Sequence, residues 1–151
     1  MWGLKAITRA INLGNSRVMT QEERELLLID LSARLSYRTM VKCITDYHHE
    51  FDEELSVIHI MNFYQFEVKP YLRPMSSMTE EEKREYFSFI GGKRPFDCDF
   101  SAYPIEYTFV YEHDINSYIY WLNKHHFDYR GLIEKGLALE ATEGMYSIKD
   151  K

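Results

Sequence analysis

Between Asp114 and Tyr146 the chain reads DINSYIYWLNKHHFDYRGLIEKGLALEATEGMY, and no other stretch restricts the fold as much. Ile115, Tyr118, Ile119, Leu122 and His126 recur at the spacing of one helix face, with Trp121 and Phe127 flanking that stripe. Asp114 can cap such a helix, because a short carboxylate accepts from the orphan amides of a first turn. The pattern predicts a helix over 114–126 whose apolar side the rest of the chain must cover. Asp128 is placed to cap a second, short helix over Tyr129–Lys135. Gly136 is placed to end it, since glycine enters the left-handed region without a Cβ penalty. Leu137-Ala138-Leu139 is expected as a last short strand, with Met145 and Tyr146 folding back.

Two more helices are marked at their starts. In Thr20-Gln21-Glu22-Glu23 and again in Thr79-Glu80-Glu81-Glu82, a threonine hydroxyl can accept the amide three residues on, while that glutamate reaches back. The first box leads into LLLIDLSARL, which puts Leu27, Leu31 and Leu35 on one face with Leu28 beside them. The second leads through KREYFSFI to a stop at Gly91-Gly92. Between the boxes, Thr39–Tyr47 is β-branched and alternating, and reads as a strand. Leu55–Phe63 is apolar on both alternating faces and is expected as a central strand. Phe66–Arg73 carries Pro70, which cannot donate to a ladder and points to an edge or a strand end. The acidic run His48–Glu54 is expected as the connecting loop. Lys93–Pro104 lacks periodicity and reads as an exposed loop, and Ile105–Tyr111 as a strand with a tyrosine-rich face.

The expected fold class is therefore α+β. A small antiparallel sheet of four or five strands, bent or forming a partial barrel, is packed by capped helices at 20–35, 79–90 and 114–126. Residues 1–18 are expected as an N-terminal extension, with Trp2, Leu4, Ile7, Ile11 and Leu13 on one face of a short amphipathic helix. A membrane surface or a partner would use such a face, and packing on the domain is the plainer reading. One domain over 19–148, with a variable loop at 91–104, follows.

A chain of 151 residues can bury one sizeable core. Its formal net charge of -6 argues against extended nucleic acid as a partner, which needs many basic contacts to phosphate. Cys43 and Cys98 are too few for a disulfide framework and read as reduced thiols of a cytoplasmic protein. No apolar run approaches the ~20 residues that span a bilayer, so no membrane partner is expected. The aromatic share is high, with twelve Tyr and nine Phe. Tyrosines of this kind serve core rims, interfaces or stacking platforms. They leave a homo-oligomer open.

Catalytic patterns are missing. Two histidine pairs, His48-His49 and His125-His126, would make a metal site only if one member of each met Glu50, Asp52 or Asp128. Adjacent helical residues point about 100° apart, so neither pair forms a ligand set alone. With both on a helix, His126 falls on the buried stripe and His125 nearer solvent. No cofactor, metal or catalytic residue is assigned. A Cys-His nucleophile lacks context, since Cys98 sits between two aspartates, which raise a thiol's pKa. One binding arrangement has physical content. Tyr107, Tyr111, Tyr118, Tyr129 and Trp121, with Arg73, Lys124 or Arg130, have the chemistry that stacks a nucleotide base and grips its phosphate. The same residues serve equally as amphipathic packing. His125, Tyr129 and Arg130 have no packing role the sequence requires.

The segments MTQEERELLLIDLSARL, VKPYLRPMSSMTEEEKREY and WLNKHHFDYRGLIEKGLALEATEGMY resemble those of small uncharacterised proteins of gut Bacteroidales phages and prophages. The resemblance covers most of 19–90 and 114–148, and less of the leader and of 91–111. It implies a phage or prophage setting and carries no catalytic residue across. The expected function is a non-enzymatic accessory protein that binds a host or phage protein through Lys93–Pro104 and the tyrosine face. The alternatives are a small-ligand binder that sequesters a nucleotide, and a metal-dependent hydrolase using the His and Asp clusters.

Overall fold

Helix starts in this chain are set by side chains that satisfy first-turn amides. In the computed structural model, which describes residues 18–46, 48–89 and 115–147, Thr20 Oγ1 accepts the Glu23 amide at 3.1 Å and Glu23 returns a carboxylate oxygen to the Thr20 amide at 2.9 Å. Thr79 and Glu82 repeat the exchange at 3.1 and 2.9 Å. Both predicted capping boxes therefore form. They open α1 (Gln21–Ala33) and α3 (Glu80–Phe89). The expected leader helix, the Gly91-Gly92 stop, the loop at 91–104, the strand at 105–111 and the Asp114 cap lie outside the described residues.

The fold is α+β, with four helices and an open four-stranded sheet among the described residues. Strand order is β2-β1-β3-β4, where β1 is Met40–Ile44, β2 Glu50–Glu54, β3 Glu67–Leu72 and β4 Leu139–Glu140. β1 runs antiparallel to both β2 and β3. The chain between 19 and 148, expected as one domain, divides into two compact units. One holds the residues through Tyr71 together with Gly136–Leu139, and the other holds Leu72–Lys135 with the residues from Glu140 on.

In the first unit the buried apolar side chains include Leu27, Leu31, Val41, Cys43, Leu55, Phe63 and Val68. Alternation along β1 explains two of them, because Val41 and Cys43 point to one face of the pleat. The buried face of α1 is not purely leucine. Asp30 and Arg34, one turn apart, are fully buried and joined by a two-pronged pair at 2.8 and 3.1 Å. Buried charges persist only when paired in this way.

Two expectations for this unit are corrected. The run Leu55–Phe63 is not a central strand; it contains a short helix, α2 (Val57–Met61), that starts after Ser56. The acidic run expected as a loop supplies β2, registered so that Lys42 faces Asp52 and Cys43 faces Phe51. All five β2 residues are exposed, so burial imposes no alternation that a sequence pattern could display. Its strand character comes from β1, whose ladder it completes, and from opposite charges across the pair. Pro70 lies inside β3, in register with Val41. Its nitrogen points the same way as the Leu72 carbonyl, which accepts the Ala141 amide just past β4. That side of β3 meets only the two-residue β4, so the missing donor is tolerated.

The second unit is built on aromatic packing between α3 and α4 (Ile115–Lys124). Met78, Tyr86, Tyr118, Trp121, Leu122 and Phe127 form its buried cluster, with Met75, Phe87 and Tyr129 packed against it. The Tyr86 ring lies 5.0 Å from Trp121 and 6.0 Å from Tyr118, in the tilted and edge arrangements that ring quadrupoles favour. Trp121 thus sits at the centre of the stripe it was expected to flank.

Helix α4 stops earlier than predicted, and His126 is the reason. It adopts φ 61°, its amide donates to the Asn123 carbonyl at 3.0 Å, and the Phe127 amide donates to the Leu122 carbonyl at 3.0 Å. These two bonds define a Schellman stop, with His126 in the position glycine usually fills, and the packing of Phe127 and Leu122 in one cluster completes it. The short helix expected over Tyr129–Lys135 does not form. Gly131 takes φ 68°, which breaks a helix within its first turn, and 129–136 is a run of turns. Asp128 still works as a cap. Its two oxygens accept the amides of Leu132 at 2.8 Å and Ile133 at 2.9 Å. Gly136 ends the run at φ 73°, and Tyr146 folds back to stack on His126 with centroids 3.6 Å apart.

Candidate functional site

Five of the seven binding residues proposed from sequence are described, and all five belong to the second unit; Tyr107 and Tyr111 lie outside the described residues. Trp121 and His125 are both buried and stacked on each other, 3.9 Å between centroids. His125 Nδ1 lies 2.8 Å from the Trp121 carbonyl, which can only accept, so this nitrogen carries the proton. His126 is buried as expected, and the expectation that His125 lies nearer solvent is corrected. Both rings are buried in stacks, because a helix that ends at residue 124 no longer sets their directions by helical spacing.

Arg73 is equally committed. Its guanidinium lies 4.3 Å above the Phe127 ring and grips Glu82 with two bonds of 2.7 and 2.8 Å. Its amide and carbonyl bond to His126 and Asp128, each at 2.8 Å. Glu82 consequently serves as both the return arm of the α3 capping box and the counter-ion of Arg73. Burial pushes the Glu82 carboxyl up, but the bonds and charge of Arg73 and the Thr79 amide outweigh it and hold the group at about 2.

Tyr129 donates its hydroxyl proton to Asn123 Oδ1 at 2.9 Å and accepts from Arg130 at 2.6 Å, with the guanidinium 4.6 Å from its own ring centre. His125, Tyr129 and Arg130, which the sequence left without a packing role, thus all have one. The rings and cations proposed for a nucleotide are engaged with one another. Among the described residues no group of three or more His, Cys, Asp or Glu is placed to hold a metal ion. The acids considered as ligands have other partners: Asp52 accepts from Tyr71 at 2.8 Å, Glu50 faces Lys42, and Asp128 holds two amides. Burial first, then the Asp52 hydrogen bond and charge and the Glu50 charge, push the Tyr71 phenol up to about 12.

The surface that stands out is one the sequence pattern does not reveal, in the first unit. Helix α2 is amphipathic in the inverted sense. It buries His59, which is 2% exposed, and presents Val57, Ile58 and Met61 at 58%, 60% and 76%, with Tyr64 at 57% in the turn that follows. Single exposed apolar residues are ordinary, but four large ones within eight positions beside a buried histidine are not. Residues 57 and 61, and 58 and 61, are one turn apart and share a face.

Local chemistry holds the helix in that orientation. His59 Nδ1 accepts the Ser56 amide at 2.9 Å, and its Nε2 meets Glu53 Oε1 at 2.6 Å. An amide can only donate, so Nδ1 is the unprotonated nitrogen and Nε2–H donates to the carboxylate. The ring is locked between the start of α2 and the end of β2. Asn62 closes the far end, with its amide and its side chain donating to the Ile58 carbonyl. Two signals for this helix are present in the sequence: Ser56 at a cap position and Asn62 at the stop. In an almost wholly apolar run they are outweighed by an alternation that any such run displays.

Beside this apolar face lies β2, the edge strand of the sheet formed by the described residues, with Glu50, Asp52, Glu53 and Glu54 exposed along it. Apolar and acidic side chains are thus exposed side by side on this unit. Neither a family model, a curated protein nor a solved structure matches the chain. No helix of the described residues is long and apolar enough to cross a membrane.

Proposed function

We propose that the chain is a non-enzymatic binding module, acting in the cytoplasm of a bacterial host as a phage or prophage accessory protein that holds a host or phage protein. The observation that carries this reading is the inverted helix α2, which keeps His59 inside and Val57, Ile58, Met61 and Tyr64 outside. A helix that served only the core would turn its valine, isoleucine and methionine inward. The phage setting is supported by the sequence resemblance. Among the described residues, the α2 face holds four of the eight exposed large apolar side chains, and the Lys93–Pro104 loop expected from sequence lies outside them.

The test is affinity capture from host lysate with the wild-type chain and with Met61→Glu and Ile58→Glu, followed by quantitative mass spectrometry. One protein, or a small set, is expected to be enriched by the wild type and lost with both variants. Identical captures from all three baits would overturn the assignment to α2.

A further inference from the structure

We propose that the outer edge of β2 is a strand-addition site, which takes an extended segment of a partner in which basic and apolar residues alternate. This rests on the reading of the chain as a binding module and names a mode of contact and the partner's chemistry.

The backbone supplies the first observation. β1 and β2 are registered so that Val41 faces Glu53 and Cys43 faces Phe51. The Leu55 amide donates to the Thr39 carbonyl at 2.7 Å, and the Thr45 amide to the His49 carbonyl at 3.1 Å. Hydrogen-bonded pairs alternate along an antiparallel ladder, so in this register they fall at the odd-numbered residues. Phe51 and Glu53 therefore turn their amides and carbonyls toward β1, while Glu50, Asp52 and Glu54 turn theirs away. β2 ends the sheet and all five of its residues are exposed. Among the described residues nothing pairs with that outer row. An open row of this kind is a template for another strand.

The side chains select which strand. The pleat sends Glu50, Asp52 and Glu54 to one face and Phe51 and Glu53 to the other. On the first face the carboxylates meet Lys42 at 3.7 Å, the Tyr71 hydroxyl at 2.8 Å and Arg38 at 3.2 Å. Both ion pairs are exposed and therefore weak, and each carboxylate keeps lone pairs for a further cation. On the second face Phe51 lies opposite the buried Cys43 and is itself 39% exposed. Glu53, on that same face, is tied to His59 of α2 at 2.6 Å. A lysine or arginine of an added strand would meet the acids, and the next residue along would cover the open flank of Phe51. Opposite charges across a strand pair are favourable. A second copy is a poorer occupant, because pairing two β2 edges sets acids against acids.

The experiment is amide hydrogen exchange of the full chain, read residue by residue by NMR, with a short synthetic peptide alternating lysine and valine as the probe. With the peptide at about ten times its Kd, exchange at Glu50, Asp52 and Glu54 is expected to slow by about tenfold, since only the free fraction exchanges. A peptide of the same composition with its lysines and valines in separate blocks is expected to have no such effect. N-methylation of either the lysine amides or the valine amides tells the two edges of the peptide apart. One series is expected to abolish the slowing and the other to keep it. No slowing at those three residues, an equal effect from the block peptide, or the same result from both methylated series would overturn the proposal. So would slowing that rises with protein concentration in the absence of peptide, which would make a second copy the occupant. The α2 face is read separately through capture by Met61→Glu and Ile58→Glu, so either reading can fail while the other stands.

Discussion

Glu82 ties the start of α3 to Arg73. It closes the α3 capping box and neutralises Arg73, which in turn covers Phe127 and bonds to the backbone of His126 and Asp128. Because its carboxyl is held at about 2 in the folded chain against 4.5 for an unperturbed group, the folded state binds that proton more weakly than the unfolded state does. The stability it contributes is complete above pH 4.5 and is lost as pH falls toward 2. Urea midpoints measured across that interval are expected to drop in the wild type and to drop less in Glu82→Gln. At neutral pH the variant loses about 1–3 kcal/mol, since a charge-assisted, two-pronged bond to a partly buried arginine is broken. His126 gives a second test at this scale. Its left-handed backbone costs a non-glycine residue about 1–2 kcal/mol, and its stack on Tyr146 offsets that cost. His126→Ala keeps the strain and loses the stack, so it is expected to be less stable than His126→Gly by about 1 kcal/mol in thermal unfolding.

Among the elements, the turn run 128–136 depends on one carboxylate. The Leu132 side chain is fully buried, and its amide is satisfied by Asp128. Asp128→Ala would strand that donor and the one at Ile133, costing about 2–3 kcal/mol by chemical denaturation. Asp128→Asn, which retains an acceptor, is expected to fall between the variant and the wild type. An equal loss for both would place the contribution in the charge instead of in the amide bonds. Helices α1 and α3 are legible in the amino-acid sequence because a capping box is local: residues three apart settle it alone. Strand β2 and helix α2 are not. One has no buried face to impose a pattern, and the other is five residues long in a run where almost everything is apolar.

At the scale of the molecule, apolar surface and negative charge lie next to each other on the first unit. An edge strand studded with carboxylates discourages edge-to-edge pairing, while the adjacent helix leaves an apolar face exposed. Because that face is exposed, changing it leaves the core untouched. Met61→Glu is expected to shift unfolding free energy by no more than about 0.5 kcal/mol while removing partner capture. A large loss of stability would instead make Met61 part of the packing.

What the sequence determined by itself is what short-range chemistry decides: the α+β class, both threonine caps, β1, the buried leucines of α1, and left-handed glycine at Gly136. The Asp114–Tyr146 stretch contains the helix that its pattern implies, shortened to Ile115–Lys124, and Asp128 caps a run of turns where a short helix was expected. Its histidines, tyrosine and arginine look free for function in the sequence because their partners are settled only once the chain stops at His126 and turns back. Tertiary structure decided that Trp121 stacks on His125 and that Arg73 spends its charge on Glu82. It also decided that a run with strand periodicity becomes a helix facing the wrong way for a core. A pattern of apolar residues records how much surface can be buried. Which side is left in water depends on what the neighbouring elements already cover.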